Sequence, residues 1–157
     1  MSDNEQGDRD LACRVASLLD GRSIATAESC TAGRVAAALA SVDHAVDSLR
    51  GGLVAYQEHV KRELLGVTAS SVLSLECAVQ MALGATHLFG ADVAVATTGV
   101  AGGDVEDGVQ PGTVFIATAV GDSVNARCYR FDGSPEDVCD GARRQALLDL
   151  LDALQCE

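Results

Sequence analysis

Ser29, Tyr56 and Lys61 are the side chains of this sequence best suited to do chemistry together. Lys61 is the only lysine in 157 residues, and every other fixed cation is an arginine. An ammonium loses its proton when desolvated and then serves as a base, which a guanidinium effectively cannot do. A serine hydroxyl near a neutral amine is a nucleophile with its base, the Ser–Lys variant of the hydrolytic triad. A phenol such as Tyr56 can orient the amine or relay a proton. The competing reading is structural: Ser29 or Thr31 as a helix cap, Tyr56 half-buried at a sheet edge, and Lys61 solvated.

The elements that must position these groups are legible in the hydrophobic pattern. Ser29 lies in Thr26-Ala27-Glu28-Ser29-Cys30-Thr31-Ala32-Gly33, where a strand over 23–27 hands over to a helix over 34–41. Ligands of α/β sheets collect at the carboxyl ends of strands. A helix N-terminus there offers free N–H groups and positive partial charge, an arrangement that stabilises an oxyanion. Tyr56 ends a second strand, Leu53-Val54-Ala55-Tyr56, after the Gly51-Gly52 pair, and Lys61 falls about one turn into the helix that follows, 57–65. Thr97-Thr98-Gly99-Val100-Ala101-Gly102-Gly103 ends a third, buried strand over 92–98. Its glycines let backbone approach a ligand, and its N–H groups can form an anion nest.

Around these the pattern predicts a helix over 10–20 after a frayed segment 1–8, and a longer helix over 73–89. A hairpin is predicted across Gly121-Asp122, and a final helix from Ser134-Pro135 to about Leu154. Alternating strands and helices predict an α/β domain with a mixed sheet, a single unit over 1–157.

Composition narrows the function. There are 23 Asp plus Glu against 11 Lys plus Arg, a net charge of −12. Phosphate backbones demand cations, so nucleic acid is excluded as a partner. The Asp-rich, lysine-poor surface suits a high-salt cytoplasm and predicts salt-dependent stability. No apolar run is long enough to span a bilayer, which leaves a membrane role without support. The six cysteines show no CxxC pair or zinc spacing, so they read as reduced thiols, most of them filling small buried spaces in a cytoplasmic protein. Cys30 is the exception, since a helix N-terminus lowers a thiol pKa and a thiol enzyme is the minor alternative. Asp104, Glu106 and Asp107 argue against tight phosphate contact at the loop tip, and their spacing does not require a metal. His44, His59 and His87 read as surface residues.

Read together, the motifs TAESCTAG at 26–33, RGGLVAY at 50–56, Lys61 before LLGV, FGADVAVATTGVAG at 89–102 and PGTVFIA at 111–117 resemble the CinA C-terminal domain family, the nicotinamide-nucleotide amidohydrolases. The resemblance spans roughly 11–154. It implies a three-layer α/β/α sandwich with a mixed, mostly parallel sheet and a homodimer. It implies hydrolysis of nicotinamide mononucleotide to nicotinate mononucleotide and ammonia, with no cofactor or metal. By motif, Ser29 is the nucleophile, Lys61 the general base and Tyr56 its partner. Cys30, Thr31, Ala32, Gly33, Thr98 and Gly99 fall in segments that line the family's site. Where the family usually has two glycines, this chain has Ala32-Gly33. Where the family carries arginines after its Phe-x-Gly stretch, this chain has Pro135 and Cys139, and Arg143 and Arg144, about a turn later, are the candidates to hold phosphate. The alternative function is a weakly catalytic domain of this fold that binds a nucleotide or a protein partner.

Overall fold

The computed structural model describes residues 1–157. The chain runs through α1 (Asp3–Leu19), β1 (Ile24–Glu28), α2 (Arg34–Ala40), β2 (Leu49–Val54), α3 (Glu58–Leu65), α4 (Leu75–Phe89), β3 (Val93–Gly99), β4 (Thr113–Val120), β5 (Ser123–Arg130) and α5 (Pro135–Gln155). The sheet order is β2-β1-β3-β4-β5. β1 pairs in parallel with β2 and β3, while β4 pairs antiparallel with β3 and with β5. β4 alone therefore runs against the rest, and the mixed, mostly parallel sheet matches expectation.

Period-two alternation splits the strands into two unlike cores. Ile24, Val93, Val95, Val114 and Ile116 face α1, α2 and α5. Ala25, Ala27, Ala94, Ala96, Ala117 and Ala119 face the side covered by α4 and by Leu65 of α3. On that second side Gly84 of α4 lies against the backbone of Leu65, where any Cβ would collide.

Three expectations are corrected. The segment expected to fray forms the first turns of α1, because Ser2 and Glu5 make a reciprocal capping box. β2 begins at Leu49 and contains Gly51-Gly52 rather than following them. A Cβ at Gly51 would strike the Phe89 ring, and one at Gly52 would strike the Thr26 hydroxyl. Of the six free cysteines, only Cys30, Cys77 and Cys139 are buried. α5 begins as expected, with Ser134 as N-cap and Pro135 in its first turn.

Candidate active site

The wall that carries Ser29 is built around a buried acid. Glu28 ends β1 and is 1% exposed. Its carboxylate accepts the Val35 and Ala36 N–H groups at 2.9 and 3.0 Å and the Thr31 and Thr26 hydroxyls at 2.6 and 3.2 Å. The Thr31 hydroxyl also meets that of Thr97 at 2.7 Å. A buried carboxylate persists only when its lone pairs are filled in this way. The N-terminus of α2 is thus occupied by Glu28, and the free N–H groups expected there are not free. The turn to α2 closes through two left-handed residues, Ala32 at φ 50° and Gly33 at φ 92°. Ser29, 6% exposed, donates its N–H to the Thr97 carbonyl at 3.0 Å, which pins the nucleophile's backbone to β3. No backbone carbonyl accepts the Cys30 N–H.

Cys30 itself is buried, and burial pushes its thiol up to about 12, with the nearby Cys139 adding to the effect. That overturns the thiolate expected of a helix N-terminus, because the helix end already serves Glu28. Cys30 lines the site as a neutral thiol.

The opposite wall carries Lys61 on the inner face of α3. Lys61 is 3% exposed, and its ammonium makes no ion pair within the chain. Desolvation by burial holds it below the ordinary lysine range, while the neighbouring Cys77 and Cys30 thiols, were they to ionise, and the Glu58 and Glu106 carboxylates pull the other way. The lowered pKa enlarges the neutral fraction of the amine, the form a general base needs. Tyr56 stands at the rim, 66% exposed.

Ser29, Cys30, Tyr56, Lys61 and Gly99 line one cavity of about 640 Å³ at the carboxyl ends of β1 and β3. No hydrogen bond joins Ser29, Tyr56 and Lys61 directly. Thr31 is wholly buried in the Glu28 network, and Thr98 is buried with its hydroxyl donating to the Val72 carbonyl at 2.7 Å, so both brace the walls. Arg143 and Arg144 are not among the lining residues. Both guanidiniums pair with Asp8 of α1, Arg144 at 3.3 Å. Cys139 donates its thiol to the Cys30 carbonyl at 2.9 Å.

Sequence reasoning missed Glu28 as a brace and Glu58 as cavity lining, while Glu106 and Asp107, weighed as loop-tip acids, and Pro135, standing where the family carries an arginine, also line the cavity. An acid closing an apolar strand just before a helix was the available signal for Glu28. His44, His59 and His87 are exposed, as expected. No group of three or more His, Cys, Asp or Glu is arranged to hold a metal ion. No helix is long and apolar enough to cross a membrane.

A mixed sheet between helical layers, with a serine and a buried lysine at its carboxyl edge, defines an α/β protein with a cleft at the sheet end. The family model for the CinA C-terminal domain matches residues 8–154, and this chain belongs to that family. A CinA-like protein of Mycolicibacterium vanbaalenii is 44% identical over 80% of the chain and 31% of its own length. A protein of Desulforamulus reducens described as a putative competence-damage inducible protein is 38% identical over 81% of the chain and 32% of its own. The chain thus spans about a third of those relatives. Among solved structures, a CinA superfamily protein of Klebsiella pneumoniae superposes with a TM-score of 0.91 at 35% identity, covering 96% of this chain and 99% of that one. One from Escherichia coli gives 0.89 at 30% identity, covering 98% and 93%.

Proposed function

We propose that this chain is an amidohydrolase that cleaves a pyridine carboxamide. The substrate implied by family resemblance is nicotinamide mononucleotide, giving nicotinate mononucleotide and ammonia. One observation carries the reading: a serine and a buried lysine without an ion-pair partner share one cavity at the carboxyl edge of the sheet.

Ser29 Oγ attacks the carboxamide carbon while the neutral Lys61 amine takes its proton. The carbonyl oxygen becomes an oxyanion, for which the Cys30 N–H, given to no backbone carbonyl, is the next backbone donor in sequence after the nucleophile. Collapse breaks the C–N bond, and Lys61 returns the proton to the departing ammonia. Water then attacks the acyl-serine, giving its proton to Lys61, and release of the carboxylate restores the Ser29 hydroxyl. Tyr56, at the rim, is suited to orient the substrate or the amine.

The second reading, a domain that binds its ligand with little turnover, is favoured by the missing hydrogen bond between Ser29 and Lys61. Catalytic contacts commonly tighten only when substrate is bound. The deciding experiment is ammonia release, in molar salt, from nicotinamide mononucleotide and from its dephosphorylated nucleoside, beside Ser29→Ala. Release that disappears in the variant supports the hydrolase. Release from neither compound by folded protein supports the binding domain.

A further inference from the structure

A nucleotide whose carboxamide sits at Ser29 also carries a phosphate dianion, which calls for a cation. The cavity itself offers only Lys61, the base, and Glu58, Glu106 and Asp107 share its walls. Arg143 and Arg144 are committed to Asp8.

A second hollow, of about 330 Å³, adjoins the cavity. Ala101, Gly102 and Pro135 line both. A Cβ at Gly102 would strike the Pro135 ring, so the shared wall is backbone laid against ring. Arg130 closes β5 and lines this second hollow. Because β4 runs antiparallel to both β3 and β5, the end of β5 lies at the same carboxyl edge as Ser29.

Arg130 is unspent. The fixed cations that form no ion pair are Arg14, Arg50, Lys61 and Arg130. Of these, Lys61 lines the cavity and Arg130 the adjoining hollow, while Arg14 and Arg50 line neither. Acids outnumber fixed cations 23 to 11 in this chain, so partners for Arg130 are not scarce. Asp132 lines the same hollow and still forms no ion pair with it. Gly102, Gly103 and Gly133 line the hollow too, and no backbone carbonyl accepts their N–H groups. Without a Cβ, such N–H groups can approach an anion closely. The start of α5 is not the seat, since its Ser134 N–H goes to the Asp137 carboxylate at 2.8 Å.

We propose that Arg130 and this glycine-lined hollow hold the 5′-phosphate of a nucleotide whose carboxamide reaches Ser29 across the shared wall. The assignment rests on the pyridine-nucleotide reading above. It gives the two cations separate tasks. A dianion beside Lys61 would hold the amine protonated and useless as a base. A guanidinium effectively cannot lose its proton, and its fork matches phosphate oxygens in pairs.

The test is calorimetric titration of Ser29→Ala protein with nicotinamide mononucleotide and with nicotinamide riboside in the same molar-salt buffer. At that salt the screening length is about 3 Å, so a charge must touch the phosphate to discriminate. The nucleotide is expected to bind about tenfold tighter than the nucleoside, the scale of one charge-assisted hydrogen bond. Adding Arg130→Gln is expected to bring the ratio close to one. Arg130→Lys, which keeps the charge and loses the fork, is expected to fall between. Arg127→Gln, on the same strand but lining neither hollow, is expected to leave the ratio as it was. Equal binding of the two compounds, no binding of either, a ratio that survives Arg130→Gln, or one that falls as far in Arg127→Gln overturns the proposal. Binding is read without turnover, so the two readings fail separately. No ammonia release by wild-type protein removes the hydrolase, while a nucleotide advantage that depends on Arg130 keeps the seat. Ammonia release beside a ratio indifferent to Arg130 removes the seat alone.

Discussion

The two faces of the sheet are built from the same strands and could hardly differ more. One presents Ile24, Val93, Val95, Val114 and Ile116 to leucine-rich helices. The other presents alanines to the alanines, Cys77 and Met81 of α4. Large aliphatics gain stability from area removed from water. Alanines gain little area each, and contribute by letting α4 and the α3–α4 contact at Gly84 close up on the backbone. The site spans this divide. Ser29 precedes α2, whose Val35 and Leu39 sit in the aliphatic core, while Lys61 rides on α3, whose Leu65 sits in the alanine core.

The sharpest way to join the halves is through turnover. Lys61→Met from one side and Ser29→Ala from the other should each cut ammonia release by on the order of 10³-fold or more. The double variant should be no worse than either, as for groups that act as one unit. Additive losses in single-turnover assays would separate the two walls.

Stability should break the faces apart in opposite directions of size. Leu147, wholly buried in the aliphatic core, should cost about 2–5 kcal/mol as Leu147→Ala. Ala94, wholly buried on the alanine face, should cost about 1–3 kcal/mol as Ala94→Leu, through overpacking. Urea unfolding at fixed salt measures both, and a harmless Ala94→Leu would mean that the alanine face is looser than its contacts indicate.

The lysine wall also predicts a pH profile. Burial lowers Lys61 from its ordinary value, so the neutral base grows as pH rises toward that lowered value. Turnover should climb about tenfold per pH unit below it and flatten before the ordinary lysine range near 10.4. A profile still rising through that range would place the base elsewhere. The smallest effect belongs to the serine wall. Ala32 holds φ 50°, a conformation costly for a residue with a Cβ, so Ala32→Gly should stabilise the protein by roughly 0.5–1 kcal/mol in the same urea assay.

Elements governed by local rules were legible in the sequence. The Ser134-Pro135 start of α5 follows from capping and fixed proline φ, and β3 and the hairpin follow from β-branched alternation. The capping box at Ser2 and Glu5 was equally local and was outweighed by the polarity around it. β2 was not legible, because its glycines answer to the Phe89 ring and the Thr26 hydroxyl, contacts made across the fold. The site divided the same way. Ser29, Tyr56 and Lys61 stood out by type and motif, and the structure brings them to one cavity. Arg143 and Arg144 looked free because the Asp8 they share lies at the other end of the chain, although Arg143 also pairs with Asp140 one turn away.

The carboxylates at the helix starts have a consequence for the solution around the protein. In a concentrated chloride medium, an open helix N-terminus is a place for halide to settle and compete with substrate. Glu28 fills such a place at the start of α2 with a covalently tethered anion, and the Asp137 carboxylate, held by the Ser134 N–H, stands beside the start of α5. The start of α2 can therefore sit in strong brine without becoming a chloride trap.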